Sequence, residues 1–435
     1  MTARVVAAPV RYRFAVAPHS AAETIEAHGC RVVLRRVDGP LASELFFLCR
    51  PAAAGDAGAQ AENLYHAAAR ALEGAGGSLA SVVSETLFLR SVGSDLEAVR
   101  AARARVVGET THRPARTEIE QPPLDEEARL TLAVQAVVPH GPPLAAEGFG
   151  TGSACGSAGS HGLRIHLGGE ARLYAGALHG HGADAYEQTL AMFAAAEELL
   201  QRAGMEFRDV VRTWIHLREM DRDYADLNRA RRAFFEARGI DPAPASTGIG
   251  GGPAFEAQDL CMGLYAVAAA HPPVRRVMSA PTLNEATQYG SDFARGMRVE
   301  EANKVALHVS GTASIDEAGA TAHTGDFDAQ VERMLVNVAA LLEGQGAGFG
   351  DVVSAITYLK RREDAVRLRE KLREAGFEGF PNALVLAPIC RPELLCETEA
   401  LAVLPRDGAT RSGDVAGGAK SLLERGPGKA RFAGR

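Results

Sequence analysis

The pattern of apolar and polar positions repeats three times along the chain. One copy is AGGSLASVVSETLFLRSVGSDLEAVRAAR from Ala75, a second AGMEFRDVVRTWIHLREMDRDYADLNRAR from Ala203, and a third GAGFGDVVSAITYLKRREDAVRLREKL from Gly346. Each carries a Gly, a polar residue and a Val-Val pair: Val82-Val83, Val210-Val211 and Val352-Val353. Leu89, Leu217 and Leu359 close each strand at the same offset, and an acidic turn with a charged helix follows. The flanks repeat too. Ala-rich amphipathic helices are predicted over about 59–74, 185–203 and 327–344, with Asp184 and Asp326 placed to cap two of them. Behind each unit come Pro114-Ala115, Pro244-Ala245 or Pro381-Asn382, then an apolar strand: RLTLAVQAVV, DLCMGLYAVAA or LLCETEALAVL. The predicted order is hairpin, helix, strand, helix, strand, strand: one antiparallel-rich sheet with two helices on one face, an α+β module.

Such a sheet leaves its other face bare, and three copies in one chain can bury those faces mutually around a pseudo-threefold axis. The expected modules are 1–140, 161–272 and 275–405, the last catalytic. Residues 141–160, rich in Gly, Ala and Ser, read as a linker, and 406–435, poor in apolar residues, as a disordered tail. Gly250-Gly251-Gly252 lacks the Lys-Ser/Thr of a P-loop and is expected to let backbones approach closely at the axis.

Composition narrows the class. Of 435 residues, 46% are apolar and 23% charged, the balance of a soluble globular protein, and the net charge of −7 favours neither nucleic acid nor an anionic membrane. No stretch is apolar for long enough to span a bilayer, and the first residues do not read as a signal peptide, so the expected location is cytoplasmic. The six cysteines form no Cys-x-x-Cys pair and suggest neither zinc nor a disulfide framework. His179-Gly-His181, in a Gly-rich loop without an acid pair, reads as solvent-exposed, so no metal is expected.

Candidate chemistry lies where the copies differ. The third module ends Cys390-Arg391-Pro-Glu-Leu-Leu-Cys-Glu397-Thr-Glu399; Ala133 and Met262 align with Glu397, Gln135 and Leu264 with Glu399. Residues two apart on a strand share a face about 7 Å apart, so both acids point one way. They either pair with arginines at a module interface or, where burial and mutual repulsion raise a carboxyl pKa, supply a general acid. Arg391, at the turn before the strand, suits an anion.

The module order and the Gly-x-x-x-x-Asp-Val-Val…Leu signature resemble the Rid (YjgF) family over about 40–140 and 160–405. That family has a chorismate-mutase-like αβ fold and forms trimers with clefts between subunits, so the resemblance implies three tandem modules in an intramolecular pseudo-trimer. A narrower resemblance over about 165–405 is to the chorismatases, cofactor-free enzymes that cleave chorismate to pyruvate and a ring product. It is carried by ARLYAGAL, RTWIHL, PASTGIGGG, Tyr289-Gly290 with Phe293-Ala294-Arg295, HVSGTASI, AHTGDF, TYLKRRED and CRPELLCETEA. The resemblance makes Glu397 the acid, Cys390 its catalytic neighbour, Arg391 the holder of a substrate carboxylate, and Tyr289, Arg295 and Gly311 substrate-binding. Gly311 and Cys390 match members that form 3-hydroxybenzoate, whereas hydrolytic members carry alanines at both places.

Two other readings stand beside this one. A Rid-type imine deaminase would hold a substrate carboxylate with the arginine of a Pro-Ala-Arg element, present only at Arg116, and would need Arg116 and Glu397 to meet across one interface. A non-enzymatic small-acid binding protein would show Glu397 paired to a structural arginine with no cavity. The expected partner is a small carboxylate, chorismate, and the working unit a monomer, with a dimer as the alternative.

Overall fold

A computed structural model describes residues 21–108, 113–150, 161–284 and 292–406. The first sheet is built from β1 (Glu23–Ala27), β2 (Cys30–Asp38), β3 (Ala42–Pro51), β4 (Val82–Leu89), β5 (Ala115–Glu120) and β6 (Leu130–Pro139), with α1 (Ala57–Gly74) and α2 (Val92–Val107) on one face. The second comprises β7 (Ala145–Gly150), β8 (His161–Leu167), β9 (Glu170–Leu178), β10 (Val210–Leu217), β11 (Ala245–Gly250) and, after the short β12 (Gly252–Pro253), β13 (Leu260–Ala269), with α3 (Ala185–Arg202) and α4 (Met220–Arg238). The third has β14 (Arg275–Val277), β15 (Gly296–Glu300), β16 (Val305–Ala313), β17 (Val352–Leu359), β18 (Asn382–Leu386) and β19 (Cys396–Leu404), with α5 (Phe327–Glu343) and α6 (Ala365–Glu374). Each has the same weave: β3-β6-β4-β5, β9-β13-β10-β11 and β16-β19-β17-β18, antiparallel except for the last, parallel pair. This is the α+β architecture of three tandem modules that the repeat predicts. The carboxylates of Asp184 and Asp326 accept from the backbone N–H of Glu187 and Ala329, as caps should, and Asp56 does the same for α1.

The Val-Val signature has a physical reading. Val82, Val210 and Val352 point to the helices of their own module and belong to its core. Their neighbours face the other way, as strand alternation requires. Val83 and Val211 join a separate apolar cluster with Val137, Tyr265 and Met297, drawn from all three modules, and Val353 packs with Val37 and Phe46 of the first. Two consecutive valines thus serve two cores, each burial worth about 1.5–3 kcal/mol. An ionic junction reinforces this. Arg172, fully buried on β9, pairs with Glu44 of β3 (2.9 Å) and with Glu301 ahead of β16 (3.0 Å), and Lys304 bridges the same two acids at 2.5 and 2.8 Å.

The glycine triplet lies where the modules converge. A side chain at Gly250 would stand 2.4 Å from Pro388 of the third module, and one at Gly251 would stand 2.9 Å from Ile119 of the first. Gly252-Pro253 extends the first sheet by pairing with β5.

Two expectations change. Within the expected linker 141–160, residues 145–150 form β7 and pair antiparallel with β8, because β8 offers an open edge and Phe149 buries against the core of the second module. Residues 151–160, and the expected tail from 407 onward, lie outside the described residues. Of the two histidines expected to face solvent, His181 is exposed, whereas His179 is half-buried against Phe255, with ring centroids 4.2 Å apart. No helix among the described residues is long and apolar enough to cross a membrane.

Candidate active site

Sheet register corrects which residues are equivalent. Glu397 pairs across to Tyr358 of β17, and its counterparts in that ladder are Thr131, opposite Phe88, and Cys261, opposite His216. Glu399 corresponds likewise to Ala133 and Gly263. The sequence alignment was displaced by two residues in the first module and one in the second, since apolar strand ends offer no fixed reference point. A one-residue slip would turn each side chain to the opposite face. The asymmetry survives the correction: only the third module places acids there.

The two acids meet different surroundings. Glu399 accepts from Trp214 Nε1 (2.6 Å) and Tyr358 Oη (3.2 Å) and pairs with Arg212 (2.9 Å). Trp214 and Arg212 lie on β10, so this is the interface ion pair foreseen as one alternative. Arg212 also donates to Thr247 Oγ1 (2.5 Å), which accepts in turn from the N–H of Gly311 (2.9 Å). Glu397 makes no side-chain hydrogen bond or ion pair among the described residues and is 4% exposed. Burial, and next the Glu399 carboxylate, push its carboxyl up to about 8 against the weaker pull of Arg295 and Arg212. At neutral pH it holds its proton.

Glu397 faces a cavity of ≈ 730 Å³ between the second and third modules. Gly311, Cys390, Arg391 and Arg295 line the same space, so five of the six site residues read from the sequence converge. The sixth, Tyr289, lies outside the described residues. Gly311 makes room for the acid: a Cβ there would sit 2.1 Å from Glu397 Oε1 and 3.0 Å from Thr247 Cγ2. Burial, and then the nearness of Glu397, push the Cys390 thiol up to about 12, so it stays protonated. Arg295 donates to the carbonyl (2.9 Å) and side-chain oxygen (3.2 Å) of Asn284, and Arg391 to the carbonyl of Gly319 (2.8 Å). These neutral acceptors fix the guanidinium orientations.

The second module supplies the wall that sequence reasoning missed. Tyr224, Asn228 and Arg231 line the cavity from one face of α4, with Ser246 and Gly248 from β11. Arg231, 3% exposed, donates to Asn228 Oδ1 (2.6 Å), and its guanidinium lies 5.5 Å from the Phe293 ring centroid. A polar stripe at positions 224, 228 and 231 follows the helical period, and that spacing was readable in the sequence.

Arg116 lies elsewhere. It stands on β5, packed against β9 so closely that a Cβ on Gly176 would be 2.4 Å from its carbonyl oxygen, and it pairs with Glu118 at 3.5 Å. It lines the first–second module interface, whereas Glu397 faces the second–third, so the meeting that a deaminase site requires does not occur.

No family model matches the chain. It is 31% identical over 243 residues to a 3-hydroxybenzoate synthase of Streptomyces hygroscopicus, which covers 49% of this chain and 69% of that protein. It is 34% identical over 97 residues to a RutC family protein of Pyrococcus abyssi, covering 22% of this chain and 76% of that one. A solved crystal structure of a chorismatase superposes with a TM-score of 0.57 over 74% of this chain and 93% of its own, at 21% identity, a likeness of fold. With its tandem modules and unequal clefts, the chain belongs to the chorismatase family of enzymes, within the Rid/YjgF superfamily.

Proposed function

We propose that the cleft between the second and third modules cleaves chorismate to pyruvate and 3-hydroxybenzoate, with Glu397 as proton donor. The observation that carries this reading is a buried, protonated carboxyl facing a cavity lined by Arg231, Arg295 and Arg391. Chorismate is a dianion, and guanidinium groups match carboxylates in charge and geometry. Phe293, Ile315 and Leu394 supply apolar surface for the ring.

Glu397 protonates the methylene carbon of the enol ether, and positive charge develops on the ether-bearing carbon. The neighbouring ring hydroxyl oxygen then bonds to the ring carbon that carries the ether as that carbon's bond to the ether oxygen breaks. This gives pyruvate and a strained three-membered ring. The hydroxyl proton released here is returned to the oxygen when that ring opens. The ring proton lost on aromatisation balances the one supplied by Glu397. Pyruvate and 3-hydroxybenzoate together contain the atoms of chorismate, so neither oxidant nor net water is consumed. Cys390, a neutral thiol, shapes the cleft beside the reacting carbon and assists opening of the strained ring product.

Purified protein incubated with chorismate is expected to release pyruvate and 3-hydroxybenzoate in equal amounts. Absence of pyruvate refutes the reading; pyruvate with a non-aromatic diol refutes the product type inferred from Gly311 and Cys390. Gly311→Ala tests the cleft directly. The atom it strikes is the tip of a flexible side chain, so the fold should persist while the Glu397 carboxyl moves. Misplacement by about 1 Å can cost on the order of 10²-fold in rate. The expected result is a kcat lower by about that factor, an unchanged melting temperature, and a product mixture shifted toward the diol.

A further inference from the structure

A second cavity, of ≈ 160 Å³, lies where the bare faces of the three sheets meet, apart from the catalytic cleft. Its size is close to the ~150 Å³ of an apolar protein cavity that takes up one benzene ring. Phe46, Trp214 and Ile356, one from each module, give it apolar walls. Its polar lining is unfinished. Nη1 of Arg212, Nδ1 of His216 and Nε2 of His308 have no hydrogen-bond partner among the described residues, and these side chains are 2%, 3% and 6% exposed. Buried donors and acceptors are nearly always paired, and leaving one bare costs about 1–3 kcal/mol. Bare polar atoms around a ring-sized space call for an occupant.

The charges select its class. The two cations in the lining, Arg212 and Lys304, are matched by two carboxylates, Glu301 and Glu399. Burial pushes His216 and His308 down to about 4 and about 3, so both are neutral. A carboxylate would enter as an uncompensated buried charge, which is costly. A purely apolar ring would leave the bare nitrogens as they are. A hydroxyl oxygen can accept from Arg212 Nη1, and its hydrogen can be donated to a histidine nitrogen in the tautomer that leaves that nitrogen bare.

We propose that this central cavity is a binding site for a small neutral hydroxyaromatic molecule, its ring against the apolar walls and its hydroxyl between Arg212 and a buried histidine. The site is distinct from the cleft, and its test needs no assumption about the reaction.

Titration calorimetry on the full chain with phenol, benzene and benzoate, together with a crystal of the unchanged protein soaked in phenol, decides the matter. Phenol is expected in the central cavity, bound at least about tenfold more tightly than either comparison ring, a difference of about 1.4 kcal/mol. Ala133→Phe, which fills the space from β6 without touching the cleft, should abolish that binding. Ordered water alone in the soaked crystal, benzoate or benzene binding as tightly as phenol, or phenol affinity unchanged in Ala133→Phe would each overturn the proposal.

Discussion

Glu397→Gln is expected to lower the turnover of chorismate by about 10²–10⁴-fold, the range that a positioned general acid contributes. Gln preserves the shape of the side chain and removes only the proton it gives away, so substrate affinity should hold while kcat falls. The pH profile offers a second readout. Burial and Glu399 hold the Glu397 proton to about pH 8, so wild-type kcat should fall on the alkaline side as that proton is lost, and the residual rate of Glu397→Gln should lack this limb. Stability should also fall with rising pH, but over a lower range. The folded chain holds this proton more tightly than the unfolded one, whose carboxyl titrates near the ordinary value of about 4.3. Wild-type stability relative to the Gln variant is therefore expected to decline as pH rises from about 4.5 to about 8, then level off. Undiminished turnover in Glu397→Gln would remove it as the acid. Lost turnover with an unchanged alkaline limb would assign the limb to another group.

Two causes tune the acid so far. Burial is the larger cause of the raised Glu397 carboxyl, and Glu399, held two residues away by Arg212, Trp214 and Tyr358, adds to it. Neither neighbour on β10 belongs to the module that carries the acids. The site is thus a property of the assembled modules and not of the third alone.

Much of this was legible in the sequence, for identifiable reasons. The Val-Val pairs, the closing leucines and the Asp caps are local signals, each tied to one element, and they place the helices to within two residues of where the structure has them. Convergence of Glu397, Arg391, Cys390, Arg295 and Gly311 was legible only through resemblance to a family. Cys390, Arg391 and Glu397 share one segment, but Arg295 and Gly311 lie on other elements of the third module, and nothing in their spacing says that they meet it. The second-module wall escaped notice because Tyr224, Asn228 and Arg231 look like ordinary positions of a charged helix until a neighbouring module is docked against them. The alignment of β6 and β13 with β19 was displaced because apolar strand ends read alike in any frame, and only the cross-strand ladder fixes which residues correspond. Pairing of Glu399 with Arg212 was likewise beyond reach, since an ion pair between modules leaves no local pattern.

The largest effect on stability is expected at Arg172. It carries no part of the proposed reaction, yet it is fully buried and contacts Glu44, Glu170 and Glu301, thereby tying the three modules to one point. Burial alone would push the Glu44 carboxyl up, but Lys304 and Arg172 hold it down at about 2. Arg172→Met leaves three buried carboxylates to a single lysine, and breaking a buried pair by removing one partner costs about 3–5 kcal/mol. The loss should be largest at neutral and alkaline pH. As pH falls the stranded acids can take up protons, so the gap between variant and wild type should narrow below about pH 5. Wild type should in turn lose the contribution of Glu44 as pH falls from about 4.5 through about 2, the direction expected of a depressed carboxyl. Denaturant titrations of both proteins at pH 5 and pH 8 measure this difference. Adding Glu44→Gln and Glu301→Gln to Arg172→Met removes the stranded charges and should recover a large part of the loss. A gap of less than about 0.5 kcal/mol at pH 8, the range of an ordinary surface substitution, would mean that the junction does not hold the modules together. The apolar contacts of Val83, Val211 and Val353 would then account for assembly by themselves.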